Sequence, residues 1–171
     1  MGIKPKFKQI EVLKELEGGY RKIENGIIRI LQYAGEQFVK DARDGMKIST
    51  KVFPKGDYKD RTVNLRSSIG YIILKDGVMV DNDFQGTAEG ISAGRAALDL
   101  VPKKEGYQLV GVAGMDYASN VESKGYNVIT SQGDIALVNI ERLLNKFKER
   151  MNKKGANMDF DMDNLVLTAM R

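Results

Sequence analysis

The chain has 171 residues, 42% of them hydrophobic and 29% charged, with 27 basic against 23 acidic side chains and a formal net charge of +4. That is the size and composition of one globular domain with a core of its own. With neither cysteine nor histidine present, disulfides, Cys/His zinc sites and the Ser-His-Asp and Cys-His nucleophile systems are excluded.

The N-terminus from Met1 to Lys8 is basic, with Lys4, Lys6 and Lys8, and no apolar run follows it. It does not read as a signal peptide, and no stretch is apolar for long enough to span a membrane. Residues 1–9 are expected to form a mobile basic arm. From there Leu13, Leu16, Tyr20, Ile23, Ile27, Ile30 and Ala34 alternate three and four apart, and Phe38 and Val39 extend the series. That spacing predicts a long amphipathic helix with one apolar face. Gly18-Gly19 costs about 1 kcal/mol per residue against alanine, so a kink or break is expected there.

Residues 44–60 carry Asp44-Gly45, Pro54 and Lys55-Gly56-Asp57, the chemistry of a long mobile loop. Thr62 is placed to cap a short turn through Asn64-Leu65-Arg66-Ser67. Two β-rich runs, Gly70 to Lys75 and Val78 to Asp83, flank Asp76-Gly77. An Asp-Gly pair in that setting predicts a hairpin, because a type I′ turn needs positive φ at both central residues. Thr87 caps an expected helix running to about Leu100, and Pro102 bars its continuation. Gly86, Gly90 and Gly94 recur every four residues, which suits close approach of this helix to the sheet.

Positions 107–115 read as a buried strand and Tyr126 to Thr130 as another. Ser131 with Asp134 resembles a capping box that opens the last helix. Its apolar seam is Leu137, Ile140, Leu144, Phe147 and Met151, and Lys153-Lys154-Gly155 closes it with cations and a glycine cap. The division expected is an arm over 1–9, a single α+β domain over 10–155 and an extended or disordered tail over 156–171. The fold class is α+β: a small, mostly antiparallel sheet with a long N-terminal, a central and a C-terminal helix.

No segment presents a complete chemical motif. Asp81-Asn82-Asp83 opens like a calcium loop, but Ser92 stands where the bidentate glutamate belongs. Asp159, Asp161 and Asp163 have the spacing of oxygen ligands without the glycine or a later carboxylate, and suit an extended segment that adds to a sheet edge. Gly111-Val112-Ala113-Gly114 lacks the third glycine of a dinucleotide fingerprint. The basic stripe Lys146, Lys148, Arg150, Lys153 and Lys154 is the solvated side of a helix or a phosphate-facing one. Arg66 and Glu122 are suited to bidentate pairing if the fold brings them together.

Two segments about fifty residues apart carry more information. They are Asp60-Arg61-Thr62-Val63-Asn64-Leu65-Arg66-Ser67-Ser68-Ile69 and Asp116-Tyr117-Ala118-Ser119-Asn120-Val121-Glu122-Ser123-Lys124-Gly125. In this order, in a small α/β chain, they resemble the tail-completion (neck, head–tail joining) proteins of long-tailed double-stranded DNA phages. That family has roughly Thr-Gly-x-Leu-Arg-x-Ser-Ile, a β-hairpin, a helix, then a strand ending in Tyr-Ala-x-x-Val-Glu-x-Gly. Thr62, Asn64, Leu65, Arg66, Ser68 and Ile69 match the first pattern; Tyr117, Ala118, Val121 and Glu122 match the second. Val63 replaces the usual glycine, so the backbone there is not expected to take positive φ readily, and Gly125 comes one residue late.

The resemblance implies a virion or prophage structural protein with no catalytic residue, cofactor or metal. It would act as a ring of its own copies between connector and tail tube, monomeric or weakly associated when free, and meet nucleic acid only as the passing genome. Its place would be the phage neck, or the bacterial cytoplasm during assembly. Two other classes fit the residues alone. One is a nucleic-acid-binding module using the basic helix face and N-terminal arm; the other is a small carboxylate-dependent enzyme.

Overall fold

The computed structural model describes residues 8–44, 63–126, 128–156 and 166–170, the last five through their backbone alone. The elements in chain order are α1 (Gln9–Arg43), α2 (Asn64–Ser68), β1 (Ile69–Lys75), β2 (Val78–Phe84) and α3 (Ala88–Ala96), which runs into a 3-10 turn over Ala97–Leu100. Then come β3 (Tyr107–Ala113), α4 (Ala118–Ser123), α5 (Thr130–Asn152) and β4 (Val166–Met170). The four strands form one sheet in the order β2-β1-β3-β4. β1 is antiparallel to both β2 and β3, and β4 adds in parallel to β3. This is the expected α+β class.

The inner strands are apolar over most of their length, because both faces are covered. On one face Tyr71, Ile73 and Leu109 meet Leu31, Phe38 and Val39 of α1 and Ile140 and Leu144 of α5. On the other, Ile72, Leu74, Val110 and Val112 meet Phe84, Val101 and the partly buried Ile91 of α3. Each such aliphatic side chain contributes about 1.5–3 kcal/mol when fully buried. Gln108 is buried in β3 with its amide satisfied locally: Oε1 accepts from Lys104 N–H and Nε2 donates to the Pro102 carbonyl, both at 3.0 Å. That pair fixes the turn after Pro102, where helix has stopped.

The hairpin forms as its sequence demands, with Asp76 at φ 51° and Gly77 at φ 76°. Lys75 pairs with Glu24 of α1, tying the hairpin tip to the helix. At the other end of α1, Arg43 Nη2 donates to the Ile69 carbonyl at 2.7 Å and the Gln85 carbonyl at 3.1 Å. α5 closes as expected: Gly155 takes φ 85°, its N–H bonding to Asn152 O and that of Ala156 to Met151 O, a Schellman end.

Several expectations are corrected. α1 runs unbroken through Gly18-Gly19 for 35 residues, because helix on both sides propagates across the pair and packing fixes the C-terminal half. Tyr126 to Thr130 is not a strand: Val128 and Ile129 lie in bends and Thr130 already begins α5. Their apolar side chains fill the core beneath an irregular link, which periodicity alone does not distinguish from a strand. Ser131 and Asp134 lie inside α5 and are not its N-cap. The arm expected over 1–9 ends in helix at Gln9; residues 1–7, 45–62 and 157–165, with most of the expected loop and the Asp159–Asp163 run, lie outside the described residues. Within the expected tail, Val166–Met170 is a strand of the same sheet.

Glycine roles in α1 separate by position. A Cβ on Gly18 or Gly19 would meet no atom within 4 Å, whereas one on Gly35 would lie 2.5 Å from the Tyr71 ring. The same change therefore has opposite signs along one helix. Gly18→Ala and Gly19→Ala should each stabilise by about 1 kcal/mol. Gly35→Ala should destabilise by about 1–3 kcal/mol through overpacking. Thermal melts of the three variants check this.

Candidate functional site

The structure brings the two family-like segments to one place. Leu65 and Ile69 of the first and Ala118 of the second are buried in one cluster, and Val121 is partly buried against it. Asn64 to Ser68 are α2, which feeds directly into β1; Ala118 to Ser123 are α4, so the second segment is a short helix after β3 and not the end of a strand, β3 stopping at Ala113. β1 and β3 are neighbours in register, Ile69 opposite Ala113, so sequence segments fifty residues apart become adjacent. Thr62 lies outside the described residues.

The polar groups of the first segment hold α3. Ser67 Oγ accepts from Thr87 N–H at 2.9 Å, and Asn64 Oδ1 accepts from Thr87 Oγ1 at 2.8 Å. Asn64 Nδ2 donates to Glu89 Oε2 at 2.8 Å. Thr87 in turn caps α3 as expected, its Oγ1 accepting from Gly90 N–H at 3.2 Å. Gly90 lies against α2, where a Cβ would stand 2.5 Å from Ser67 Cβ and 2.6 Å from the Asn64 carbonyl. The glycine row therefore serves approach to α2 as well as to the sheet. Ser68 is fully buried, and its hydroxyl donates back to the Leu65 carbonyl at 2.8 Å.

Val63 opens α2 in the left-handed region, at φ 63° and ψ 3°. The backbone thus takes the conformation that the family-like glycine would take, despite a β-branched side chain. This overturns the expectation for that position. The carbonyl of Val63 explains why the conformation is held: it accepts from Ser67 N–H at 3.0 Å and Ser67 Oγ at 2.6 Å. A non-glycine residue there costs on the order of 1–3 kcal/mol and persists only where neighbouring bonds determine it.

The second segment holds α5. Glu122 Oε1 accepts from Ile129 N–H at 2.9 Å, Thr130 N–H at 3.0 Å and Thr130 Oγ1 at 2.9 Å. A carboxylate from α4 thus satisfies donors at the start of α5, where the helix dipole also favours negative charge. No single-window pattern reveals this cap, because its two halves are seven residues apart across an irregular link. Gly125, at φ 84°, ends α4 in a Schellman turn, with Tyr126 N–H on Val121 O and Gly125 N–H on Glu122 O. The late glycine is therefore the one the turn requires.

Arg66 and Tyr117 are the family-like residues that stand exposed, Tyr117 at 37%. Asp81 and Asp83, read as a calcium-like start, lie within β2, and Asp81 Oδ2 accepts from Gln32 Nε2 at 3.0 Å and Tyr71 Oη at 3.3 Å. Burial, then the Asp81 charge, pushes the Tyr71 phenol well above its ordinary value. Among the described residues no group of three or more acidic side chains is arranged to hold a metal ion. A cavity between α1 and α5, lined by Tyr33, Phe38, Gln132 and Ala136 among others, encloses about 20 Å³, far below a small-molecule site. No helix among the described residues is long and apolar enough to cross a membrane. No family model, curated protein or solved structure matches the chain.

Two substitutions probe these joints. Glu122→Ala strips a charged acceptor from two backbone donors and should cost about 2–3 kcal/mol, with Glu122→Gln recovering part of it; denaturant melts with unchanged m-value read this. Val63→Gly should do the reverse. It removes left-handed strain at a half-exposed side chain, and should raise stability by about 1 kcal/mol, a Tm gain of about 2–4 °C.

Proposed function

We propose that this chain is a non-enzymatic structural subunit of a phage or prophage neck, a tail-completion protein that joins the tail to the head connector as a member of a ring. The observation that carries the reading is the meeting of the two family-like segments in one core. Asn64 to Ile69 and Tyr117 to Glu122 flank the paired strands β1 and β3, and each holds the start of a helix. Such a pattern is expected of residues that maintain a fold common to a family. The order of elements, long helix, hairpin, central helix, strand and C-terminal helix, supports it as well.

On this reading the joints make the subunit, and contacts with neighbours fall to other surfaces. A ring subunit must present two different faces, because head-to-tail contacts close into cyclic symmetry. Arg66 and Tyr117, exposed beside the joints, are the positions at which family-like residues reach a neighbour.

The reading is tested by mixing the protein with purified tail tubes and with connector-bearing heads and imaging the junction by electron microscopy. A stoichiometric ring at the tail end or the connector is the expected result. Absence from both particles, with sequence-independent DNA binding at physiological salt and a steep salt slope, would transfer the assignment to a nucleic-acid module.

A further inference from the structure

We propose that the cavity between α1 and α5 is a binding site for one water molecule, held by Gln132 and joining the start of α5 to α1. The cavity encloses about 20 Å³, and one water needs about 10–15 Å³. Gln132 lines it and is 2% exposed, and its Oε1 is a buried acceptor with no hydrogen-bond partner among the described residues. An acceptor in that position has given up its hydration and received no donor in return, which native folds seldom leave uncorrected.

The place of Gln132 in the helix explains why its side chain is left for the cavity. Ile129 is the N-cap of α5, so Gln132 is the third residue of the helix. A glutamine at that position commonly reaches back to the backbone N–H of the N-cap. Here the Ile129 N–H already donates to Glu122 Oε1 at 2.9 Å. The cap supplied by α4 therefore releases Gln132 from capping. Gln132 and Ala136, four residues apart, share the side of α5 that borders the cavity.

Size, charge and the other polar groups favour water as the occupant. Gln37 and Asp41 of α1 and Asn139 of α5 line the cavity with Gln132, which provides the about two to four polar partners that a buried water takes. Asp41 is the one carboxylate in the lining, too little to repay the dehydration of a metal cation. Phe38 and Ala136 make other parts of the wall apolar, so a larger polar ligand would lose more hydrogen bonds than it gained. A water donates one hydrogen to Gln132 Oε1 and the other to an oxygen of Gln37 or Asp41, and the link crosses from α5 to α1. Elsewhere these two helices meet through Leu31, Phe38, Ile140 and Leu144, and burial of such side chains has no direction of its own. The bridged water adds a directional bond that fixes how far one helix lies along the other. The site is a property of the single chain and does not rest on the neck assignment.

The test is oxygen-17 relaxation dispersion of water on the full chain, beside a crystal structure at a resolution that shows ordered water. The wild type should hold one long-lived water that Gln132→Met lacks, because methionine keeps the length of the side chain and removes the acceptor. A cooperative melt shows that the variant is folded. In the crystal of the wild type, the water oxygen should lie within hydrogen-bond distance of the Gln132 side-chain amide and of Gln37 or Asp41. Equal dispersion amplitudes for wild type and variant would overturn the proposal. So would a crystal structure in which Gln132 Oε1 accepts from a protein donor, such as the amide of Gln37 or Asn139, or in which an ion stands in the cavity. The crystal structure of the wild type decides the matter alone if Gln132→Met does not fold.

Discussion

The β1–β3 pair is apolar on both faces, and the rest of the molecule follows from covering it twice. A sheet buried on one side alternates polar and apolar; these strands do not, since Ile72, Ile73, Val110 and Leu109 are all fully or almost fully buried. Two layers of helix are therefore obligatory. α1 and α5 form one, and the shorter α3 with its 3-10 turn forms the other. Each layer comes close through glycine: Phe38 lies over Gly111 of β3, and Gly94 of α3 sits against Phe84 and the Ser68 carbonyl. Any residue with a Cβ at these positions would push a layer away from the strands, and the lost burial would exceed the gain in helix or strand propensity.

The joints show how such a layered fold fixes its helix directions. α3 and α5 begin on opposite sides of the sheet, yet each starts against a side chain from the segment flanking an inner strand. Ser67 accepts from the backbone of Thr87, and Glu122 from the backbone of Ile129 and Thr130. The donors at a helix start are unsatisfied within the helix itself. Supplying them from another element converts a local need into a long-range constraint. The left-handed turn at Val63 belongs to the same device, because it aims α2 so that Ser67 can reach both the Val63 carbonyl and Thr87.

Legibility in the sequence followed the range of the interaction. Asp76-Gly77, Thr87, Pro102 and Gly155 act within a few residues and were readable from types and spacing. So were the seams of α1 and α5, which repeat one physical requirement over many turns. What could not be read depends on residues far away in the chain. Val128 and Ile129 looked like a strand because burial, not sheet pairing, selects their side chains, and the N–H groups of Ile129 and Thr130 go to Glu122. β4 is held in parallel by β3, more than fifty residues earlier, and nothing local to Val166 specifies that partner. Val63 misled in another way: a β-branched type argues against positive φ, and the two bonds its carbonyl accepts from Ser67, four residues on, override it. Of the family-like residues, the sequence supplied the set but not the division of labour between those that hold the fold and those that face outward.

That division bears on how function is to be sought in this chain. Most of the positions that catch the eye in the sequence are joints, so changing them perturbs folding before it perturbs any contact with a partner. Leu65, Ile69 and Ala118 have almost no exposed surface through which to recognise anything. Recognition must use what the layers leave uncovered. α1 is the element in which this is clearest, because one continuous seam is covered from about Ile23 onward and left exposed at Ile10, Leu13 and Leu16. Carrying several large apolar side chains in water lowers solubility and adds nothing to the fold of an isolated subunit. Substitutions at Leu13 or Leu16 therefore leave the packing of the fold untouched, whereas substitutions at Leu31 or Phe38, farther along the same helix, strike its core.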